Sequence, residues 1–423
     1  MEHLLFIIML QLTIIMVTAR IASAAFRRMG QPGVCGEMAA GLLIGPSLFG
    51  KLFPHVFRAI FDPSLSHTIT IFSQIGLVLL LFLIGMEFEF SHLKTHGRGA
   101  VSISLSGIIV PFGCGLLLAW FLYPFVGTGI YFAGFCLFTA TAMSITALPT
   151  LGRILLEFGF NRSHIGVTAI TAAALDDAAG WMILATINAV VTSNFHFWAA
   201  AIMIAETIAF VAILVLGVRP LLLRWTRHIV AVEGDQISFT TLAITIVLVF
   251  GAAMITNLIG IFSIFGAFIM GALLFDQEKF RQAVASRLRD FVHVFFVPIF
   301  FLYTGLRTDM GSMSGTLMWE LCGLVIVVAI LAKGGGCVAA SLLSGFSWKE
   351  SLSLGVLMNT RGLMELVVLN VGYELGMIPK SMFFMLTLMA IVTTYMTAPL
   401  LRRLIKIEEF QTSAGAAMIR SET

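Results

Sequence analysis

Runs of about 20 apolar residues recur along this 423-residue chain from end to end, each long enough as a helix to cross a hydrocarbon core about 30 Å thick. A backbone in lipid must satisfy its own hydrogen bonds, which leaves helices and closed barrels. Unalternated runs of this length read as helices. With 59% hydrophobic and only 11% charged residues, against about 25% charged in a soluble domain, the chain is an all-α polytopic membrane protein. No polar segment exceeds about 20 residues, so no separate soluble domain is expected.

Polar and Gly/Pro breaks divide the runs into about thirteen spans, at 3–24, 34–52, 69–89, 99–124, 130–157, 163–190, 196–217, 237–257, 260–275, 288–306, 317–344, 350–372 and 381–402. The N-terminal MEHLLFIIMLQLTIIMV lacks the basic start and cleavage site of a signal peptide and reads as the first span. Placing the N-terminus outside puts nineteen Lys and Arg in inner segments, Arg27, Arg28, Arg219, Arg224, Arg287 and Arg289 among them. Only Lys51, Arg58, Arg307 and Lys380 then lie outside. Positive residues favour the cytoplasmic side, so the C-terminus is expected there, and an even number of spans would destroy the asymmetry. Cys35, Cys114, Cys136, Cys322 and Cys337 lie in or beside apolar runs, without disulfide-framework or zinc spacing. The net charge of +3 gives no sign of a nucleic-acid partner.

The chain repeats itself. LFLIGMEFE (81–89) resembles FLYTGLRTD (301–309), aligning Gly85 with Gly305; GLLIGPSLF (41–49) resembles FIMGALLF (268–275), aligning Gly45 with Gly271; TATAMS (139–144) aligns with TRGLME (360–365). The offsets agree to within a few residues and keep their order. Seven spans separate each pair, so the copies are inverted. This predicts one transmembrane domain over 1–404, with repeat one at about 1–190, a linker helix at about 196–217, repeat two at about 237–404, and a short cytoplasmic tail at 405–423. Inverted repeats mark alternating-access transporters, whose site lies at mid-membrane where the repeats meet.

Asp176 and Asp177 stand side by side in ITAAALDDAAGWMILATINAV. A carboxylate at bilayer depth costs roughly 2.5–3.5 kcal/mol on insertion scales, so such a pair is kept where a cation or proton must be bound and released. Adjacent helical residues point about 100° apart, so one carboxyl faces a cavity while the other meets a neighbouring helix. A structural pair at a helix break is the competing reading. Lys333, in VVAILAKGGGCVAA, lies too deep to snorkel, and its glycines leave room for close helix approach or a local break. It pairs either releasably or permanently with one of the aspartates.

Two spans look broken. TATAMSITALPTLG (139–152) holds Thr139, Thr141, Ser144 and Thr146, with Pro149 closing the stretch; MNTRGLMELVV (358–368) holds Asn359, Thr360, Arg361, Gly362 and Glu365. Hydroxyls and unwound carbonyls are the oxygen ligands a hard cation needs, although Ser and Thr also serve as helix–helix glue. Arg361 and Glu365 share a face at a four-residue spacing and can neutralise each other or the half-helix dipoles. Glu37, Glu87, Glu89 and the nine histidines read as packing polarity or solvated span ends.

At these residues the chain resembles the monovalent cation:proton antiporter superfamily, in its second branch of bacterial sodium/proton antiporters, potassium-efflux membrane domains and plant cation exchangers. The matching motifs are PGVCGEMAAGLLIGPSLFG (32–50), LVLLLFLIGMEFE (77–89), ALDDAAGW (174–181), FFVPIFFLYTGL (295–306), AKGGG (332–336) and MNTRGLMELVVLN (358–370). The resemblance implies the sodium/proton antiporter fold, with two crossing discontinuous helices, a homodimer and an elevator-like shift of a core domain. It implies Asp177 as the main cation and proton carboxyl, with Asp176 alternating with it as cation and proton carrier and pairing with Lys333, and Thr141 and Ser144 beside the site. It further implies electrogenic exchange of two protons for one cation in a bacterial inner membrane, with no cofactor.

The last motif is closest to the plant-exchanger-like subgroup, which often handles potassium, so Na+, Li+ and K+ all stay open as substrates. No GxGxxG segment appears, so gating by a nucleotide domain like that of the efflux systems is not expected. A sodium-coupled symporter of an organic anion on the same fold is the alternative, though Lys333 beside two acids fits it poorly. An intramembrane aspartyl protease needs its aspartates on separate helices, and a channel needs a filter-like repeat. Neither is present.

Overall fold

A computed structural model describes residues 2–31, 33–61, 66–87, 97–158, 160, 163–193, 197–234 and 237–404. The expected tail 405–423, with Glu89, Lys94, Arg162, Lys406 and Arg420, lies outside the described residues. In chain order the main helices are α1 (Glu2–Arg28), α2 (Gly33–Ile44), α3 (Ser66–Glu87), α4 (Gly97–Val126), α5 (Phe132–Ser144), α6 (Leu148–Glu157), α7 (His164–Thr192), α8 (Phe197–Ala212) and α9 (Arg219–Glu233). They continue as α10 (Phe239–Ile259), α11 (Ser263–Ala272), α12 (Glu278–Phe291), α13 (Val297–Arg307), α14 (Thr316–Ala329), α15 (Gly335–Leu343), α16 (Trp348–Met358), α17 (Leu363–Glu374) and α18 (Lys380–Leu404). No strand occurs among the described residues.

Every expected span carries a helix or a joined pair, but not all are of crossing length. Among the described residues ten helical stretches are long and apolar enough to cross a membrane, or eleven if α16 and α17, bent by 41° at their junction, are taken as one. The α2 and α11 helices have only 12 and 10 residues. At 1.5 Å rise per residue that is roughly half a hydrocarbon core. The α8 helix does not end near 217 as expected. It runs through a wide π-turn, Ile213–Val218, into α9, with Gly217 and Pro220 at the junction without ending the helix, and stops at Gly234, whose φ is 68°. Two further π-turns, Val292–Phe296 and Ile330–Gly334, join α12 to α13 and α14 to α15.

The chain forms two compact units. One consists of Met1–Ala19, Leu52–Phe90 and Ala185–Tyr303. In it α3 packs on α11, and α11 on α10, through glycines: a Cβ on Gly85 would stand 3.0 Å from the Ala272 amide, and one on Gly266 2.8 Å from the Ala253 amide. Small residues let helix backbones touch where no hydrophobic effect drives association. The other unit, Arg20–Lys51, Ser91–Leu184 and Thr304–Thr423, has a core of Ala100, Ile103, Leu151, Ile154, Ala169, Ala172, Ala173, Cys337 and Leu354. The α16 helix opens there on a capping box, Ser347 with Glu350. This unit holds both breaks and both aspartates.

Candidate functional site

Both expected breaks are present. The α5 helix ends at Ser144, Ile145 is extended (φ −86°, ψ 138°), and α6 begins at Leu148. Pro149 opens the second half-helix rather than closing the stretch, because a first-turn proline lacks an N–H that has no helical partner there. The α16 helix ends at Met358 and α17 begins at Leu363. A Cβ on Gly362 would collide with the Thr150 hydroxyl, so only glycine fits that approach.

The two breaks are laced to each other. The Ala147 amide donates to the Thr360 carbonyl at 3.1 Å, and the Thr146 hydroxyl to the Met358 carbonyl at 2.9 Å. The Arg361 guanidinium donates through Nη1 to the carbonyls of Ala142 (2.5 Å) and Ile145 (3.1 Å), and through Nη2 to that of Met143 (2.6 Å). From α18, the Thr394 hydroxyl accepts from the Arg361 amide at 2.9 Å and donates to its carbonyl at 2.8 Å. Unwound backbone at membrane depth survives only where its polar groups find such partners.

The continuous helix α7 carries Asp176 and Asp177 past the first break, and their surroundings differ. Asp176 is fully buried. It accepts from the Ser104 hydroxyl at 2.6 Å on Oδ1 and from Lys333 Nζ at 2.6 Å on Oδ2, and the Thr146 hydroxyl, 2.8 Å from Oδ2, shares its single proton between this carboxylate and the Met358 carbonyl. Lys333, also 0% exposed, sits in the π-turn between α14 and α15. It donates as well to the carbonyls of Gly107 (2.7 Å) and Ser144 (2.5 Å), so three acceptors surround its ammonium. The glycines after it leave the helix unbroken. Gly336 instead allows close approach, its Cβ position lying 3.2 Å from Val110. Asp177 is 3% exposed. The Leu148 amide, at the start of α6, hydrogen-bonds its carboxyl, while Oδ1 has no hydrogen-bond partner.

The other expected residues are close by but differently engaged. The Thr141 hydroxyl donates to the Leu137 carbonyl and the Ser144 hydroxyl to the Thr141 carbonyl. Ser144 reaches the site through its carbonyl, on Lys333. Arg361 and Glu365 are 3.8 Å apart at their nearest charged atoms, so their mutual neutralisation is weaker than their spacing suggested; the guanidinium's Nη atoms are on the carbonyls instead. Ser104 was not visible as a site residue, being one of several serines in an apolar run. Thr146 stood out only as one of four hydroxyls at the break. Among the described residues no group of three or more His, Cys, Asp or Glu could hold a metal ion. Asp176 is already engaged by Lys333 and two hydroxyls, whereas Asp177 Oδ1 is without a hydrogen-bond partner and available to a proton or a cation.

Comparison with known proteins identifies the family of the chain. The family model described as sodium/hydrogen exchanger, transmembrane, matches residues 13–403. The chain is 36% identical over 400 residues to the Na(+)/H(+) antiporter NhaS4 of Synechocystis, covering 94% of this chain and 96% of that protein. It is 31% identical over 398 residues to the K(+)/H(+) antiporter 1 of Saccharomyces cerevisiae, covering 92% of this chain but 45% of that longer protein. The sodium proton antiporter MjNhaP1 from Methanocaldococcus jannaschii, in its structure at pH 8, shares the fold at a TM-score of 0.68 and 16% identity, over 94% of this chain and 98% of the other. This integral membrane chain belongs to the sodium/hydrogen exchanger family, within the monovalent cation:proton antiporter superfamily.

Proposed function

We propose that the protein is a secondary active antiporter that exchanges a monovalent cation, Na+, Li+ or K+, for protons, with Asp177 holding cation and proton in turn. The observation that carries this is the contrast between adjacent carboxyls: Asp176 is bonded by Ser104 and Lys333 and shares the Thr146 proton with the Met358 carbonyl, while Asp177 Oδ1 has no hydrogen-bond partner. Asp176 with Lys333 forms the fixed partner, and oxygens of Thr141 and Ser144 complete the cation's surroundings when the breaks rearrange. The printed names of the relatives support both Na+ and K+ as substrates. None of the relatives named above carries a symporter name, so the organic-anion reading has no support from them.

The fuller mechanism in this reading is alternating access between thirteen-span inverted repeats, by an elevator-like shift of the core in a homodimer. The N-terminus is outside, in a bacterial inner membrane. Exchange is electrogenic, two protons for one cation. One net charge moved through 100 mV is worth about 2.3 kcal/mol, roughly a 50-fold cation gradient.

Proteoliposomes with an imposed pH gradient test the reading. Added Na+, Li+ or K+ should collapse the gradient for wild type and not for Asp177→Asn. A tight, folded preparation that responds to no cation would sink it.

A further inference from the structure

The crossing holds five buried charged side chains: Asp176, Asp177, Lys333, Arg361 and Glu365. Lys333 has all three of its protons on Asp176 and two carbonyls, and Asp176 is engaged by Lys333 and two hydroxyls. Arg361 has both Nη atoms on three carbonyls at the C-terminal end of α5, the negative end of that half-helix. Two carboxyls remain with empty oxygens. One is Asp177. The other is Glu365, 1% exposed, with neither Oε1 nor Oε2 hydrogen-bonded.

From these contacts we propose that Glu365 is a second proton-carrying carboxyl, taking up and releasing one proton per cycle in addition to Asp177. The proposal rests on the antiport reading above. A carboxylate buried without donors is costly, whereas the protonated acid is neutral. Protonating Glu365 does not strand Arg361, whose charge stays matched by the α5 carbonyls. Two features favour the anion in turn: its place in the first turn of α17 and Arg361 Nε at 3.8 Å.

Lys333 is the other buried cationic side chain at the crossing. Of the helices packed against α17, α5 contains no charged residue, α18 keeps Lys380, Arg402 and Arg403 at its ends, α13 sets Arg307 on Asn370 and Glu374 in the last turns of α17, and α7, with Gly180 against Met364, carries Asp176 and Asp177. The group is thus poised between two forms. Because Arg361 also ties the two breaks together, a rearrangement that withdraws the carbonyls turns the guanidinium toward Glu365 and expels its proton. The second proton of an electrogenic cycle then needs no change at the locked Asp176–Lys333 pair.

The test compares charge moved with protons moved, as solid-supported-membrane current against pH-probe flux, in proteoliposomes of wild type, Glu365→Gln and Glu365→Asp. Wild type should give a cation-driven current. Glu365→Gln should keep proton flux within about threefold while current per proton falls at least tenfold, and Glu365→Asp should restore it. An unchanged ratio in Glu365→Gln, or a wild type that exchanges without current, overturns the proposal but leaves antiport standing. Absence of any cation-driven flux in wild type is the failure of antiport itself.

An infrared acid-minus-alkaline difference spectrum of Asp177→Asn supplies a measurement independent of transport. A protonated-carboxyl band that disappears when Glu365→Gln is added supports the assignment, and its absence or persistence counts against it.

Discussion

Gly45 and Gly305 touch backbone to backbone: a Cβ on Gly45 would stand 2.6 Å from the Gly305 carbonyl oxygen. In the repeat alignment Gly45 corresponds to Gly271 and Gly305 to Gly85, and those two also touch, a Cβ on Gly271 lying 3.1 Å from the Gly85 carbonyl carbon. Each contact is the other with the aligned segments exchanged, the pattern that inverted repeats would produce. Gly305→Ala is expected to destabilise the protein by about 1–3 kcal/mol through overpacking, read as a lowered unfolding midpoint in detergent. Gly323→Ala, with nothing within 4 Å of its Cβ position, should shift stability by less than about 1 kcal/mol.

Lys333 and Asp176 should behave as one energetic unit. Lys333→Met leaves a buried carboxylate with only Ser104 and Thr146 as donors, at an expected cost of about 3–5 kcal/mol. Adding Asp176→Asn should recover part of that loss, with a coupling energy above about 1 kcal/mol in a double-mutant cycle. Additive effects would show that the pair is not the unit described.

Asp177 is expected to matter for ligands and little for the fold. Its Oδ1 makes no hydrogen bond, so Asp177→Asn should leave the unfolding midpoint in cation-free buffer unchanged or slightly raised. Saturating substrate cation should stabilise wild type, by about 2.7 kcal/mol at a hundredfold excess over Kd, and should not stabilise the variant. A variant stabilised like wild type would place the cation elsewhere.

Thr394 supports the second break by bonding both the amide and the carbonyl of Arg361. Thr394→Val strands these buried groups and should cost about 1–3 kcal/mol, with Thr394→Ser recovering most of it. If serine fails to rescue, the loss comes from packing of the side chain and not from its hydroxyl.

The helical membrane architecture was legible because it depends on local properties: run length and lack of alternation. Both breaks were legible too, since Thr-rich and Gly-containing stretches at mid-membrane depth contradict their apolar surroundings. Pro149 misled, being read as an end where it begins a half-helix, and the charged stretch after 217 hid a helix because polarity was taken for a connection. The aspartate pair announced a site but not its division of labour.

Asp176 and Asp177 are chemically identical neighbours, and what separates them comes from far along the chain. Asp176 is held by Ser104 across 72 positions and by Lys333 across 157, while Asp177 is turned about 100° away on the same helix. The sequence by itself determined a helical membrane protein with acids, a lysine and two interruptions at mid-membrane. Only tertiary structure decided which carboxyl is engaged and which is open, because burial in lipid makes each charged group depend on donors that other helices bring to it.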